Sequence, residues 1–477
     1  MIAGLTLALA SFATLAADQS RFTVLTKPRT NQPNIIFILA DDLGYGDLGC
    51  YGQKKILTPH LDQMTAEGMR FRQCYAGSPV CAPSRAVLMT GYHVGHVRLR
   101  GNAAVPLAPE ETTVAQVLKQ AGYGTGAFGK WGLGLEGTTG TPGRKGFDEW
   151  FGYLSQTHAH DYYPTQLWRS SRSRAFDQPL EDEPVPLPMN LNGAKGRYSH
   201  DLITMAATNF IRVNKAFPFF LYLAYTIPHA NNELKEKGME VPSDAPYTKE
   251  DWPEPERNKA AMITRLDADI GRIMAQLKAL RIESNTVVFF TSDNGPHKEG
   301  GVKAEFFQSA GPLRGIKRDV YEGGIRVPMI VRWPGRIRAG AVNDQVWYFP
   351  DFLPTAAEIA GTKPPPGIDG LSILPTLLGQ KQTQQHEFLY WEFHEGGSKQ
   401  AVRMGDWKGI RLDPGAALEL YNLKTDLGET NNVAARHPEV VAQIEAYLKT
   451  ARTESERWPL RTAAETKKVK PNPKDKN

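Results

Sequence analysis

"NIIFILADDLGYGD", residues 34–47, is an unbroken apolar run that stops on two acids, Asp41 and Asp42. A run without polar alternation reads as a strand buried on both faces, which belongs in a parallel sheet covered by helices. Four further runs look alike: "TVVFFTSDNGPH" (286–297), "FPFFLYLAYTIPHA" (217–230), "YGTGAFGKWGLG" (123–134) and "RVPMIVRWPG" (326–335). Helices are expected between them. Residues 258–280 set Ile263, Leu266, Ile270, Ile273 and Leu277 at steps of three and four, one apolar helix face. Residues 111–122 place Val114, Val117, Leu118 and Ala121 on one face, with Gly122 as a C-cap. Strands alternating with helices predict an α/β fold, a large mainly parallel sheet with flanking helices. Ligands of such sheets sit beyond the carboxyl ends of the strands. Asp41, Asp42, Lys130, His229, Asp293 and Asn294 all follow strand ends and could meet on one edge.

A Pro- and Gly-rich stretch, "GTKPPPGIDG" (361–370), marks a boundary. Beyond it, "EFLYWEFHE", "QAVRMGDWKGIRL" and "ALELYNLKTD" read as antiparallel strands and "HPEVVAQIEAYLKTAR" as a helix, a small α+β domain. The expected divisions are 1–17, 33–362, 363–462 and a Lys/Pro tail, 463–477, read as disordered. Residues 467–477 hold five lysines and one aspartate, four of the five net positive charges, so the body is nearly neutral. That leaves no basic face for nucleic acid. Residues 1–17 have the apolar core and small-residue end of a signal peptide, without the usual preceding positive charges. They predict export to the periplasm or the extracellular space. No other stretch is long and apolar enough for stable membrane insertion.

Asp41, Asp42, Asp293 and Asn294 are hard oxygen donors. As single pairs they read as helix N-caps; converging, they would repel unless a hard divalent cation such as Ca²⁺ or Mg²⁺ joined them. Cysteines stand at positions 50, 74 and 81, an odd number in an exported chain. Cys50 and Cys74 read equally as a bridge or as two buried thiols. "PVCAPSR" (79–85) puts Cys81 two residues before Pro83, a residue favoured in the first turn of a helix. A thiol there would have a lowered pKa, or be a small buried hydrophobe. Arg85, one turn on, could bind an anion at the same positive helix end. Lys317 lies in "RGIKRDVYEGGIRVP", ahead of two glycines that permit a close-approach turn.

"CAPSR" with the following "AVLMTG" resembles the signature of type I sulfatases, members of the alkaline phosphatase-like superfamily. "NIIFILADDLGYGD", "GKWGLG", "GFDEWFGY", "SDNG" and "YEGGIRVP" match that family in order, from about residue 33 to about 460. The resemblance implies that a separate formylglycine-generating enzyme oxidises Cys81 to formylglycine, whose hydrate attacks sulfur and then expels sulfate. It implies that Asp41, Asp42, Asp293 and Asn294, together with residue 81, hold Ca²⁺. Arg85, Lys130 and Lys317 would stabilise the transferring group, and His229 would protonate the leaving sugar oxygen. One departure is Gly132, in "GKWGLG", where many relatives carry a histidine that contacts the formylglycine. His160, in "QTHAHDYYPTQLW", is expected to fill that gap, or else to line the substrate pocket with His158. Sulfated glycans built of galactose or N-acetylgalactosamine are the implied substrates. The competing readings are a phosphodiesterase or phosphonate monoester hydrolase on the same fold, and a non-catalytic glycan binder.

Overall fold

The computed structural model describes residues 32–170 and 182–468. The expected signal peptide, residues 1–17, and the end of the tail, residues 469–477, lie outside them.

Eleven strands form the main sheet: β1 (Asn34–Ala40), β2 (Met69–Tyr75), β3 (Gly124–Lys130), β4 (Glu149–Tyr153), β5 (Gln166–Ser170), β6 (Asp182–Pro186), β7 (Phe219–Ala224), β8 (Thr286–Ser292), β9 (Arg326–Arg332), β10 (Ala341–Asn343) and β11 (Trp347–Tyr348). Their order is β10-β2-β9-β8-β1-β7-β3-β4-β5-β6, with β11 also paired to β2. The centre, β8-β1-β7-β3-β4, is parallel throughout. The register sets Ala40 beside Ser292, Leu39 beside Ala224 and Gly129 beside Ala224, so four strands end together. The fifth apolar run departs from the parallel reading. It is β9, antiparallel to both β8 and β2. A two-sided apolar strand records its burial and not its direction.

β1 shows why the run at 34–40 has no polar alternation. Ile35, Phe37 and Leu39 join a core on one face with the helices Cys81–Thr90, Val114–Gln120 and Phe352–Ile359. Ile36, Ile38 and Ala40 join a second core on the other face with the helices Ser199–Asn214 and Glu254–Ala279. The helix read at 111–122 begins at Val114, because Thr113 and Gln116 form a reciprocal capping box ahead of it. It ends where Gly122 takes a left-handed φ of 89°.

After residue 363 comes a second sheet, β12 (Leu389–Phe393), β13 (Lys399–Met404), β14 (Trp407–Arg411) and β15 (Glu419–Asn422), antiparallel and in sequence order, with the helix Pro438–Leu448. The tail is not disordered at its start. Ala463–Lys468 is helical, begun by a reciprocal pair in which Glu465 accepts from the Thr462 N–H and donates its own N–H to the Thr462 hydroxyl.

The second sheet also fixes the segment that carries Lys317. Fully buried Glu322 accepts from Tyr75 Oη at 2.6 Å, Lys408 Nζ at 2.9 Å and Arg326 Nη1 at 3.1 Å. Lys408, on β14, also pairs with buried Glu429 at 3.0 Å. One ammonium between two carboxylates cannot hold both ionised at full strength. Burial pushes the Glu429 carboxyl up to about 7, with Lys408 opposing and Glu322 reinforcing. A carboxyl raised in the fold takes up a proton on folding. Its contribution to stability is therefore complete below the ordinary value of 4.5 and is lost as pH rises through about 7. In urea unfolding at a series of pH values, Glu429→Gln is expected to gain on the wild type between those two limits.

Candidate active site

At the shared carboxyl edge the chain leaves β1 at Asp41 and turns sharply, with Asp42 in the left-handed region at φ 63°. Asp41 and Asp42 point at different partners. Asp41 Oδ2 accepts from Lys130 Nζ at 2.7 Å and Arg85 Nη2 at 3.2 Å, and its Oδ1 accepts from the Cys81 thiol at 3.2 Å. Asp42 Oδ2 accepts from Lys317 Nζ at 2.7 Å, and its Oδ1 accepts from Asn294 Nδ2 at 2.7 Å. Asp293, at the end of β8, takes Arg85 Nε at 3.0 Å and Nη2 at 2.8 Å on one oxygen, and the Asp42 N–H at 3.2 Å on the other. Arg85 completes its fork on the Lys130 carbonyl at 2.8 Å.

All of these groups are buried, and they balance: three carboxylates face one guanidinium and two ammonium groups. Burial alone would push Asp41 up, but its charged neighbours, Lys130 foremost and then Arg85 and Lys317, outweigh it and hold the carboxyl below its usual range. Asp293 is pushed up to about 6 by burial and by Asp41, against Arg85. The acids are not helix caps. They are a charge-compensated cradle.

Cys81 opens the helix Cys81–Thr90, entered from extended Val80, and Pro83 lies in its first turn. The helix start is held by Asn102, which accepts the Ala82 N–H at 3.1 Å, and by Ser84, whose hydroxyl donates to the Asp293 carbonyl at 2.6 Å. The expectation of a lowered thiol pKa fails. Burial, then the Asp41 carboxylate, push it well above the ordinary value, more than Lys130 and Lys317 pull it down. Residue 81 is thus unsuited to act as a thiolate. Cys50 and Cys74 are free thiols and do not form a bridge.

His229 follows β7. Its Nδ1 donates to the Ala230 carbonyl at 2.6 Å, which fixes the tautomer and leaves Nε2 to accept from Lys317 Nζ at 3.1 Å. Burial, then Lys317, hold the imidazole well below its ordinary pKa, so it is neutral. Burial would lower the Lys317 pKa, but Asp42 outweighs it and holds the ammonium charged.

His160 does not occupy the space left by Gly132. It stacks on His229, ring centroids 4.6 Å apart, with Glu233 at 3.3 Å from Nδ1. A Cβ at Gly132 would instead meet the Gln156 amide. His158 packs edge-on against Tyr153. Sequence reading also passed over Glu299 and Arg318. Glu299 lies 3.5 Å from Lys317 Nζ, and Arg318 ties Glu299 to Glu395 of the second sheet. Both stood next to residues already singled out, but charged loop residues carry no distinguishing sequence pattern.

The donors fit a hard cation. Ligand atoms of Asp41, Asp42, Cys81 and His229 lie within 4.8 Å of one another. Beside them Asn294 Oδ1 is buried with no hydrogen-bond donor. An acceptor without a donor, among carboxylate oxygens, is what a divalent ion satisfies.

Comparison with known proteins agrees with this geometry. Residues 33–362 match the sulfatase family. The chain belongs to that family. It is a sulfuric ester hydrolase, and the family generally uses formylglycine and a divalent metal. Residues 316–455 also match the family described as N-sulphoglucosamine sulphohydrolase, C-terminal. This sulfatase is 33% identical to the N-acetylgalactosamine-6-sulfatase of Sus scrofa over 403 residues, 79% of this chain and 71% of that one. It is 30% identical to the N-acetylgalactosamine-6-O-sulfatase of Bacteroides thetaiotaomicron over 501 residues, 89% and 94% of the two chains. The crystal structure of Ps i-CgsB in complex with k-i-k-neocarrahexaose is similar at a TM-score of 0.75 and 29% identity, over 91% of this chain and 96% of that one.

Among the described residues, Arg85 is the side chain that ion-pairs with both Asp41 and Asp293. Removing one partner of a buried ion pair costs about 3–5 kcal/mol. Arg85→Met is expected to lose that much in chemical denaturation without added metal, with part of the loss recovered when a divalent cation is supplied.

Proposed function

We propose that this sulfatase is an exported, Ca²⁺-dependent enzyme that removes sulfate from glycans containing galactose or N-acetylgalactosamine, after a formylglycine-generating enzyme has matured Cys81. The observation that carries the reading is the neutral cradle of three acids and three cations around residue 81. Such a cradle accepts a divalent cation and an anionic sulfate ester together without a large net charge. The all-oxygen donor set of Asp41, Asp42, Asp293 and Asn294 favours Ca²⁺ over a softer metal. The names of the N-acetylgalactosamine sulfatase relatives and the oligosaccharide bound by Ps i-CgsB support a glycan substrate. The apolar start of the sequence supports export.

Formylglycine supplies a hydroxyl nucleophile at residue 81, and the cation draws charge from the sulfuryl oxygens. The chain's own residues do the rest. Lys130 and Lys317 set ammonium groups on Asp41 and Asp42 beside residue 81, where sulfuryl oxygens would gain charge. Arg85 holds Asp41 and Asp293 in fixed rotamers and keeps them ionised. Lys317 Nζ carries a proton beside His229 Nε2, and the Ala230 carbonyl keeps the other ring nitrogen occupied. With Nδ1 tied to the Ala230 carbonyl, Nε2 is the ring nitrogen from which a proton would reach the leaving sugar oxygen. His160, stacked on His229, holds that ring in place.

Sulfate release by the matured protein, measured against 4-O- and 6-O-sulfated galactose and N-acetylgalactosamine, is expected for at least one sugar and is expected to vanish with EDTA. Release from none of them, with the aldehyde present at residue 81, would refute the substrate assignment. His229→Ala is expected to lose about 10²-fold or more on the sugar sulfate and far less on 4-nitrophenyl sulfate, whose leaving group needs no proton. Equal losses on the two would remove His229 from the proton path.

A further inference from the structure

Gln156 is 5% exposed, and both its amide atoms, Nε2 and Oε1, are buried without a hydrogen-bond partner. Buried amides are normally satisfied, so a side chain with both ends free is waiting for a ligand. Its position says which. β4 runs parallel to β3 with Tyr153 beside Lys130, and the pairing continues as the Gly132 N–H donates to the Leu154 carbonyl at 3.0 Å. Gln156 therefore rises from the same carboxyl edge as Lys130, whose Nζ sits on Asp41. Four residues later in the same loop His160 lies on His229. Gln156 thus stands in the loop that leads from the strand end beside Lys130 to the histidine stacked on His229, with its amide against Gly132, two residues after Lys130.

The backbone makes room for it. Gly132 has φ 75°, a conformation that L side chains rarely adopt, and a Cβ there would stand 1.8 Å from Gln156 Nε2. The glycine and the amide are one device: the first has no side chain so that the second can reach in.

We propose that Gln156 binds the transferring sulfuryl group, with Nε2 donating to one of its oxygens. The inference rests on the sulfate-ester reading above. An amide has no proton to exchange near neutral pH, so Gln156 holds and orients the anion and leaves proton movement to Lys317 and His229.

Gln156→Met tests this, because methionine matches the length and removes only the polar atoms. Inorganic sulfate is the probe, titrated by calorimetry into the full-length, matured, Ca²⁺-loaded protein. The variant is expected to melt no lower than wild type, since a partnerless buried amide gives way to an apolar group. Its sulfate dissociation constant is expected to rise about tenfold or more, the loss of one hydrogen bond to a charged group. Gly132→Ala, whose methyl expels the amide, is expected to weaken sulfate binding in the same direction. Sulfate affinity equal to wild type in a folded Gln156→Met protein would overturn the proposal. Failure of the wild type to release sulfate from any ester would count instead against the sulfate-ester reading, while sulfate affinity continued to report on Gln156.

Discussion

Three carboxylates buried at one sheet edge cannot stay ionised without compensation, and the rest of the site follows from how that compensation is supplied. Arg85 comes from the helix that begins at Cys81, Lys130 from the end of β3, and Lys317 from the loop before β9. Each cation therefore ties a separate element to the edge of β1 and β8. Placing Asp41 and Asp42 fixes the helix that begins at Cys81, the β3 loop and the Lys317 segment together. The same balance leaves the cradle near neutral, so that a divalent cation and a sulfate ester complete it as a pair.

The second sheet extends that logic outward. Lys317 is held at its tip by Asp42, and its segment is held at the base by Glu322, which is bound by Lys408 of β14. Arg318, next to Lys317, reaches Glu395 between β12 and β13. The C-terminal domain thus belongs to the site's support. A change on β14 can reach Asp42 through two buried ion pairs, Lys408 with Glu322 and Lys317 with Asp42, with no direct contact.

Much of this was legible in the sequence because an apolar run ending in acids marks both a buried strand and its functional end. Asp41 with Asp42, and Asp293 with Asn294, were found that way; the helices Val114–Gln120 and Glu254–Ala279 and the antiparallel C-terminal strands followed from their periodicity. The direction of β9 was not legible, since a strand apolar on both faces looks the same either way round. The thiol at Cys81 misled for a different reason. A helix N-terminus lowers a pKa locally, but burial, and then Asp41 arriving from forty residues away in sequence, push the thiol the other way. Gln156 was invisible, because a glutamine in a polar loop has no pattern, and only the empty left-handed position at Gly132 hints that something else fills the space. His160 was expected to replace the histidine missing at Gly132, but it stacks on His229, and Gln156 stands against Gly132 instead.

The central claim is that the group at residue 81, set against this cradle, takes the sulfuryl group from the ester. Hydrolysis of a sulfated sugar in ¹⁸O-water, with both products analysed by mass spectrometry, tests it most directly. The label is predicted to enter sulfate and not the sugar hydroxyl, with no turnover in Cys81→Ala. Label in the sugar hydroxyl, or undiminished hydrolysis by Cys81→Ala, would contradict it.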